Sequence, residues 1–269
     1  MLCAGEPGGE VSVVPRNDQT RTMASNRPRQ IFAYSGFVAG EHDPDEKFAL
    51  TAHALTLTDV TSRPVRVCYV PTGVGDSPIA VEAKARQFRE RRPGVQFSTL
   101  TLFPQPSHDP RRHLLEQDIV LVEGGSVVNL MAVWRAHGLP SVLADCWMNG
   151  VVLAGASAGS LCWHVGGPTD SFGDDLAAFT EGLGLLPFSN NVHDNLADQP
   201  RRRVFRDLIT MGQLPSGYAT EDGVGLHYID TELHEAVATS STAKAWFVEV
   251  GDGPSLCETE ILPSVITRQ

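Results

Sequence analysis

The chain has 269 residues, which is enough for one large α/β domain or two small ones, and 42% of them are hydrophobic. Its formal net charge is -11 and it has no dense block of Lys and Arg, which argues against nucleic acid or an anionic membrane surface as the main partner. No apolar run reaches the roughly 18 residues of a membrane-spanning helix, and no signal peptide is recognisable.

The cysteine pattern favours a reducing compartment. The count is odd, and no two cysteines have the spacing of metal ligands; they are Cys3, Cys68, Cys146, Cys162 and Cys257. Their apolar neighbours predict buried free thiols, so we expect a cytoplasmic protein.

The first 28 residues differ in composition from the rest of the chain. They are rich in Gly, Pro, Arg, Asn and Ser and show no apolar periodicity, so we expect a disordered N-terminal extension over residues 1–28. Met23 is an alternative start to Met1. No linker or repeat interrupts the remainder, which predicts a single domain over residues 29–269.

From Arg29 onward, apolar strands alternate with amphipathic helices. The predicted strands are Gln30–Gly36, Val65–Gly73, Val95–Phe103, a run that ends at Val122, and Gly150–Ser157. The predicted helices are 44–57, 77–92, 126–137, 139–148 and Ala158–His164. This alternation predicts a mostly parallel sheet covered on both faces. After about residue 215, the runs "VGLHYI", "HEAVATS" and "AWFVEV" predict antiparallel strands at one edge of it.

A Gly-x-Ser-x-Gly motif joins a predicted strand to a predicted helix. It consists of Gly155, Ser157 and Gly159 in "LAGASAGS". A serine on such a sharp turn exposes its hydroxyl, and the flanking glycines allow close approach of the strand and the helix. The motif therefore indicates either a nucleophilic serine or a turn selected for packing alone.

A nucleophilic serine needs a base. His193 follows a short apolar run and polar neighbours, which places it at the end of another strand. His164 lies in the helix after Ser157 and is expected to point away, and His227 lies in an edge-strand pattern. His193 is therefore the predicted base.

Three segments together resemble the dipeptidase E / cyanophycinase family of serine peptidases. They are "VEGGSVVNLMAVWRAHGL", "GASAGSLCWHVGGPTDSFG" and "GLGLLPFSNNVHDN", and "YVPTGVGDS" adds to the likeness. The resemblance extends from about Gln30 to Val250. It implies a flavodoxin-like three-layer α/β sandwich with a mostly parallel sheet, related to the class I glutamine amidotransferases.

The resemblance also implies a catalytic triad. Its nucleophile would be Ser157 and its base His193, which lies 36 positions further on. The acid of the family lies between these two, about 15 residues after the serine. Position 172 is not a carboxylate here, and Asp170 and Asp174 bracket it; Asp170 is preferred because "TDS" matches the pattern.

Further roles follow from the same resemblance. The oxyanion hole would use the N–H of Ala158 and that of Gly124 or Gly125, although the family's Gly-Gly-Gly-Asn-Thr turn reads Glu-Gly-Gly-Ser-Val here. Arg201 and Arg202 fall where the family holds a substrate carboxylate, with a different spacing. A run of three arginines at a helix start is also typical of a solvated surface.

The expected function is a dipeptidase E-like serine peptidase that hydrolyses short peptides through this triad and an acyl-enzyme, with no metal and no organic cofactor. The sequence leaves the oligomeric state open, with a homodimer as one candidate. One alternative is an inactive amidotransferase-like binding protein. Another is a cyanophycinase-like isopeptidase. An esterase of the α/β-hydrolase type fits less well, because such chains place the histidine near the C-terminus, whereas about 75 residues follow His193 here.

Overall fold

The computed structural model describes residues 27–37, 43–251 and 255–266. Its strands are β1 Gln30–Tyr34, β2 Arg66–Val70, β3 Gln96–Thr99, β4 Ile119–Val122, β5 Val152–Ala156, β6 Gly167–Thr169, β7 Ala177–Phe179, β8 Ser189–Asn191, β9 Gly217–Thr220, β10 Val224–Ile229, β11 Glu232–Ala238, β12 Ala245–Val250, β13 Leu256–Ile261 and β14 Ser264–Val265. Its helices are α1 Pro44–Thr56, α2 Pro78–Arg91, α3 Pro110–Leu115, α4 Val127–Ala136, α5 Leu139–Met148, α6 Ala158–Leu161 and α7 Arg201–Thr210.

The larger sheet has eight strands within the described residues, in the order β14-β11-β10-β1-β5-β4-β2-β3. Pairing is parallel from β1 through β5, β4 and β2 to β3. β10 is antiparallel to both β1 and β11, at the side of the sheet opposite β3. The parallel strands are short apolar runs such as "IVLV" in β4, because a strand covered by helices on both faces buries every side chain.

Local sequence signals determine where several helices begin. Asp43 caps α1 by accepting a hydrogen bond from the N–H of Asp45, and Pro44 occupies its first turn. Asp109 caps α3 in the same way, and Ser126 caps α4 by accepting from the N–H of Asn129. Each cap satisfies an N–H that has no partner within its helix.

Helices on both faces complete three layers. On one face, α1 and α2 pack Phe48 and Phe88 edge-to-face, with ring centroids 5.5 Å apart. On the other, α4, α5 and α6 bury a larger core that includes Trp134, Leu143 and Leu161. The predicted flavodoxin-like sandwich with a mostly parallel sheet is confirmed, because apolar strands and amphipathic helices can be buried together in few other ways.

A smaller sheet lies beside the first. It has four strands among the described residues, in the order β13-β12-β9-β8, and α7 packs Phe205 and Ile209 against it. The expectation that "AWFVEV" lies at the edge of the main sheet is wrong. This segment is β12, and it pairs with β9 and β13 instead. The two other late segments, β10 and β11, do extend the main sheet.

Other expectations meet the structure only in part. Cys68, Cys146 and Cys162 are buried free thiols, whereas Cys257 is exposed on the edge strand β13, and Cys3 lies outside the described residues. Most of the predicted N-terminal extension, with Met1 and Met23, also lies outside them. The single domain over 29–269 remains a prediction.

None of the helices in the described part of the chain combines the length and apolar character that crossing a membrane requires.

His164 makes the stability of this fold depend on pH. It follows the end of α6 by three residues and is fully buried. Its Nδ1 lies 2.9 Å from the Ser160 carbonyl oxygen, and its Nε2 lies 3.4 Å from the Tyr228 hydroxyl. The carbonyl only accepts, so Nδ1 carries the proton of the neutral ring. Burial lowers the pKa of His164 to about 4.

We expect the free energy of unfolding to fall on acidification. Because the pKa of His164 is lower in the folded than in the unfolded chain, its contribution is complete above about pH 6.5 and is lost as pH falls towards 4. The loss between pH 8 and pH 5 should be about 2 kcal/mol. Urea unfolding at several pH values measures it, and His164→Asn is the comparison. Equal pH dependence in both proteins would contradict this assignment.

Candidate active site

Ser157 lies on the turn between β5 and α6 in a strained conformation. Its φ is 54° and its ψ is -113°, which non-glycine residues rarely adopt. Its N–H donates to the carbonyl oxygen of Tyr34 at the end of β1, at 3.0 Å. Its own carbonyl accepts from the N–H groups of Ser160 and Leu161 in the first turn of α6. These bonds hold the residue in its unusual conformation at the carboxyl edge of the sheet.

The glycines of the motif are required by close backbone contacts. A Cβ at Gly155 would lie 2.2 Å from the carbonyl oxygen of Gly159. A Cβ at Gly159 would lie 2.5 Å from the carbonyl oxygen of Val122 in β4. Both distances are far below van der Waals contact. The atoms that the added Cβ would meet belong to the backbone and cannot move aside. α6 can therefore pack this closely on β4 and β5 only with glycine at both positions.

His193 reaches Ser157 from the smaller sheet. It follows β8 by two residues and has a φ of 59°. Its N–H donates to the buried hydroxyl of Ser35, at 3.2 Å, and Ser35 donates to the carbonyl oxygen of Thr220, at 3.0 Å. The imidazole Nε2 then lies 3.0 Å from Ser157 Oγ, within hydrogen-bond distance.

The opposite side of the imidazole meets a carboxylate that the sequence analysis does not include. Asp222 lies in the turn between β9 and β10, and its Oδ1 is 2.5 Å from His193 Nδ1. Its backbone N–H donates to the side chain of Asn195, at 3.0 Å. The side chains of His193 and Asp222 are 6% and 17% exposed, so the pair is largely shielded from water.

The structure contradicts both carboxylates predicted for this position. The β6–β7 hairpin carries Asp170 onto the start of α7, where it accepts from Gln199 at 3.0 Å and lies 3.2 Å from Arg201. Burial raises the pKa of Asp170, but the hydrogen bond from Gln199 and the positive charge of Arg201 outweigh burial, so the pKa lies below its ordinary value. Asp174 is exposed on the same hairpin. Among the described residues, Asp222 is the carboxylate that contacts the imidazole.

Asp222 was missed because its position depends on strand pairing between distant parts of the chain. "TEDGVG" does carry the Asp-Gly signal of a tight turn between two strands. β10 is antiparallel to β1, so the turn that precedes β10 must lie at the carboxyl edge where β1 ends. The sequence analysis predicts antiparallel strands at one edge of the sheet, but it does not predict that β10 pairs with β1. The family spacing led instead to a carboxylate between Ser157 and His193.

The turn after β4 lies against Ser157. A Cβ at Gly124 would lie 3.2 Å from the Cβ of Ser157. Gly125 has a φ of 106°, and the next N–H, that of Ser126, donates to the carbonyl oxygen of Gly73, at 2.9 Å. The N–H of Gly124 faces the side chain of Glu123, at 3.3 Å. Ala158 begins α6, so its N–H has no intrahelical partner.

Both predicted substrate-binding arginines form ion pairs within the chain. Arg201 is 7% exposed and contacts Asp170 and Gln199. Arg202 lies 3.2 Å from both Asp194 and Glu258, and its guanidinium lies over the ring of Trp246, at 4.4 Å from the centroid. Each therefore has a structural partner.

This geometry can support acyl transfer. A hydroxyl in contact with an imidazole, whose other nitrogen faces a carboxylate, is the arrangement that activates a serine nucleophile. The N-terminal amides of α6 lie beside it, where they can stabilise negative charge. Such a constellation at the carboxyl edge of a parallel sheet defines the class of serine hydrolases.

Comparison with known proteins identifies the class more closely. Peptidase family S51 matches residues 39–236. An uncharacterized peptidase of Bacillus subtilis (strain 168), YgaJ, is 37% identical over 187 residues, which cover 70% of this chain and 79% of that one. The chain belongs to peptidase family S51 and is a serine peptidase, which confirms the family resemblance.

Solved structures of similar fold carry peptidase names as well. The crystal structure of a peptidase from an acI-B1 Actinobacterium has a TM-score of 0.64 at 15% identity, covering 89% of this chain and 96% of that one. A putative peptidase E protein from Listeria monocytogenes EGD-e has a TM-score of 0.53 at 16% identity, covering 87% and 99%. At these identities the likeness concerns the fold.

Replacing Gly159 by alanine should destabilise the protein. The added Cβ would overlap the carbonyl of Val122 and force α6 away from β4, which we expect to cost about 1–3 kcal/mol of unfolding free energy. Gly94→Ala is the matched control, because a Cβ there meets no atom within 4 Å. Urea unfolding of both variants checks this, and equal stabilities would contradict the packing argument.

Proposed function

We propose that this peptidase hydrolyses short peptides through Ser157, His193 and Asp222. The observation that carries the proposal is the imidazole of His193, whose Nε2 lies 3.0 Å from Ser157 Oγ while its Nδ1 lies 2.5 Å from Asp222. Asp222 accepts a hydrogen bond from Nδ1–H, which keeps the proton of the neutral ring on Nδ1 and leaves Nε2 free to act as a base. The same intact hydrogen bonds argue against an inactive binding protein.

In the first step, Ser157 Oγ attacks the carbonyl carbon of the scissile peptide bond. A bond forms between Oγ and that carbon, and the hydroxyl proton passes to His193 Nε2. The imidazole becomes positively charged, and the carboxylate of Asp222 stabilises that charge. The electron pair of the carbonyl moves onto its oxygen, which becomes an oxyanion.

Backbone amides then stabilise the oxyanion. The N–H of Ala158 is one donor, because it lies directly after the nucleophile in the first turn of α6. The turn that packs on Ser157 supplies the other. Gly125 suits this role better than Gly124, since the Gly124 N–H already faces Glu123.

The remaining steps complete the hydrolysis. His193 gives its proton to the leaving nitrogen, the carbon–nitrogen bond breaks, and an acyl-enzyme on Ser157 remains. A water molecule loses a proton to His193 and attacks the ester carbon. The acid product leaves with the new oxygen, and His193 returns the proton to Ser157 Oγ.

Substrate choice is proposed only at the level of short peptides. Arg201 is the better candidate for contact with a substrate carboxylate, because Asp222 is close enough to it to act electrostatically. Arg202 is held by Asp194, Glu258 and Trp246. A cytoplasmic location and a homodimer stay as predictions.

Replacing Ser157 by alanine tests the nucleophile. We expect kcat/KM on a panel of dipeptides and short peptides to fall by about 10³-fold or more, because the attacking oxygen is removed. Ser98→Ala is the matched control, since Ser98 Oγ also contacts a histidine, His113 Nε2, at 3.1 Å. A fluorophosphonate probe should label the wild type and Ser98→Ala but not Ser157→Ala; unchanged turnover by Ser157→Ala would refute the proposal.

Separate replacement of Asp222 and Asp170 by asparagine tests which carboxylate acts as the acid of the triad. Asp222→Asn should lower kcat by about 10³-fold or more, because an amide can donate to Nδ1 and favour the wrong imidazole tautomer. Asp170→Asn should lower it by less than about tenfold, since Asp170 contacts Arg201 and not His193. Asp230→Asn, in the turn at the other end of β10, is the control and should match the wild type. A larger loss for Asp170→Asn than for Asp222→Asn would contradict the assignment.

A further inference from the structure

A partly buried charged cluster lies on the face of the sheet that α1 and α2 cover, directly behind the turn after β4. The hydroxyl of Tyr69, at the end of β2, donates to Glu123 Oε2 at 2.6 Å. Lys84 Nζ, on α2, lies 3.2 Å from the same oxygen. The side chains of Lys84 and Glu123 are 17% and 26% exposed. The mechanism proposed above does not use any of the three side chains.

The cluster is connected to the nucleophile through one residue of backbone. Glu123 Oε1, the oxygen that Tyr69 and Lys84 leave free, accepts from the N–H of Gly124 at 3.3 Å. Gly124 is the residue whose Cβ, if it had one, would lie 3.2 Å from the Cβ of Ser157. A movement of the Glu123 side chain would therefore be transmitted to the turn that lies against the reacting serine.

We propose that Tyr69, Lys84 and Glu123 are positioning residues for the oxyanion hole. Glu123 orients the peptide unit of Gly124 so that the next amide, that of Gly125, faces the substrate oxygen, and Tyr69 and Lys84 fix the carboxylate. The inference rests on the proposed function, because it assumes that Ser157 is the nucleophile and that the turn after β4 supplies a donor.

The charges of the cluster explain why three side chains are needed. An unpaired carboxylate so near the developing oxyanion would raise the energy of the transition state, because like charges repel strongly in a site shielded from water. Lys84 compensates that charge, and the hydroxyl of Tyr69 disperses it. Burial raises the pKa of Glu123, but Lys84 and Tyr69 outweigh it and hold the pKa below its ordinary value, so the carboxylate is ionised at neutral pH.

Removing the Tyr69 hydroxyl is the first test. Tyr69→Phe keeps the ring in the core and removes one hydrogen bond to Glu123. We expect kcat to fall about tenfold with KM unchanged, a fraction of the 10²–10³-fold loss typical when an oxyanion donor is deleted. Tyr228→Phe is the matched control, because it also removes a buried tyrosine hydroxyl. This hydroxyl contacts His164 and lies in β10 of the same sheet, far from Glu123.

A double-mutant cycle separates charge compensation from a merely structural role. Lys84→Met leaves the Glu123 charge uncompensated, and we expect kcat to fall by about tenfold or more. Glu123→Gln keeps an acceptor for the Gly124 N–H and should cost only about threefold. The double variant should recover to about the level of Glu123→Gln alone. Lys244→Met, which removes an exposed lysine paired with Glu260, is the control for loss of a cation.

The outcomes distinguish this inference from the proposed function. Recovery of kcat in the double variant, with thermal melting showing that every variant is folded, supports the inference. Equal kcat for wild type, Tyr69→Phe and Lys84→Met, together with an inactive Ser157→Ala, overturns the positioning role alone. Additive losses in the double variant, or a rise in KM at constant kcat, also overturn it. Full activity of Ser157→Ala would instead overturn the proposed function and the inference with it.

Discussion

The contact between His193 and Ser157 joins the larger and the smaller sheet. Ser157 ends β5 in the middle of the larger sheet, whereas His193 follows β8 in the smaller one. Asp222 lies where the chain crosses back, in the turn that joins β9 of the smaller sheet to β10 of the larger. All three side chains therefore lie at the junction between the sheets, and their geometry depends on how the sheets are held together.

Hydrogen bonds across the junction provide that restraint. Ser35, directly after β1, accepts from the N–H of His193 and donates to the carbonyl of Thr220 at the end of β9. It thereby connects the strand beside Ser157 to both segments that carry the other members of the site. Ser35 is almost completely buried, so water does not compete for these bonds. A small hydroxyl side chain suits a position where three backbone segments meet.

Sequence patterns predict the parts of this site that local structure determines. The Gly-x-Ser-x-Gly turn joins a strand and a helix that together span ten residues, so Ser157 is recognisable as a candidate nucleophile from spacing alone. His193 is recognisable as a polar residue that ends an apolar run. Asp222 is not, because its approach to His193 requires the pairing of β1 with β10, which are almost two hundred residues apart in the chain. The assignment of "AWFVEV" fails for a similar reason, since the alternation of a strand does not specify which sheet it joins.

The strained conformations indicate a site that is assembled before substrate arrives. Ser157 and His193 both have positive φ, which is unfavourable for residues with a Cβ by about 1–3 kcal/mol each. These conformations persist only because surrounding hydrogen bonds fix them. The carbonyl of Tyr34 and the amides of the first turn of α6 bond to Ser157, and the hydroxyl of Ser35 accepts from the N–H of His193. A rigid arrangement needs little reorganisation when charge develops on the substrate oxygen, and preorganised dipoles are most effective in that situation. The strain in these two residues is thus the structural consequence of fixing a hydroxyl and an imidazole from different sheets at 3.0 Å.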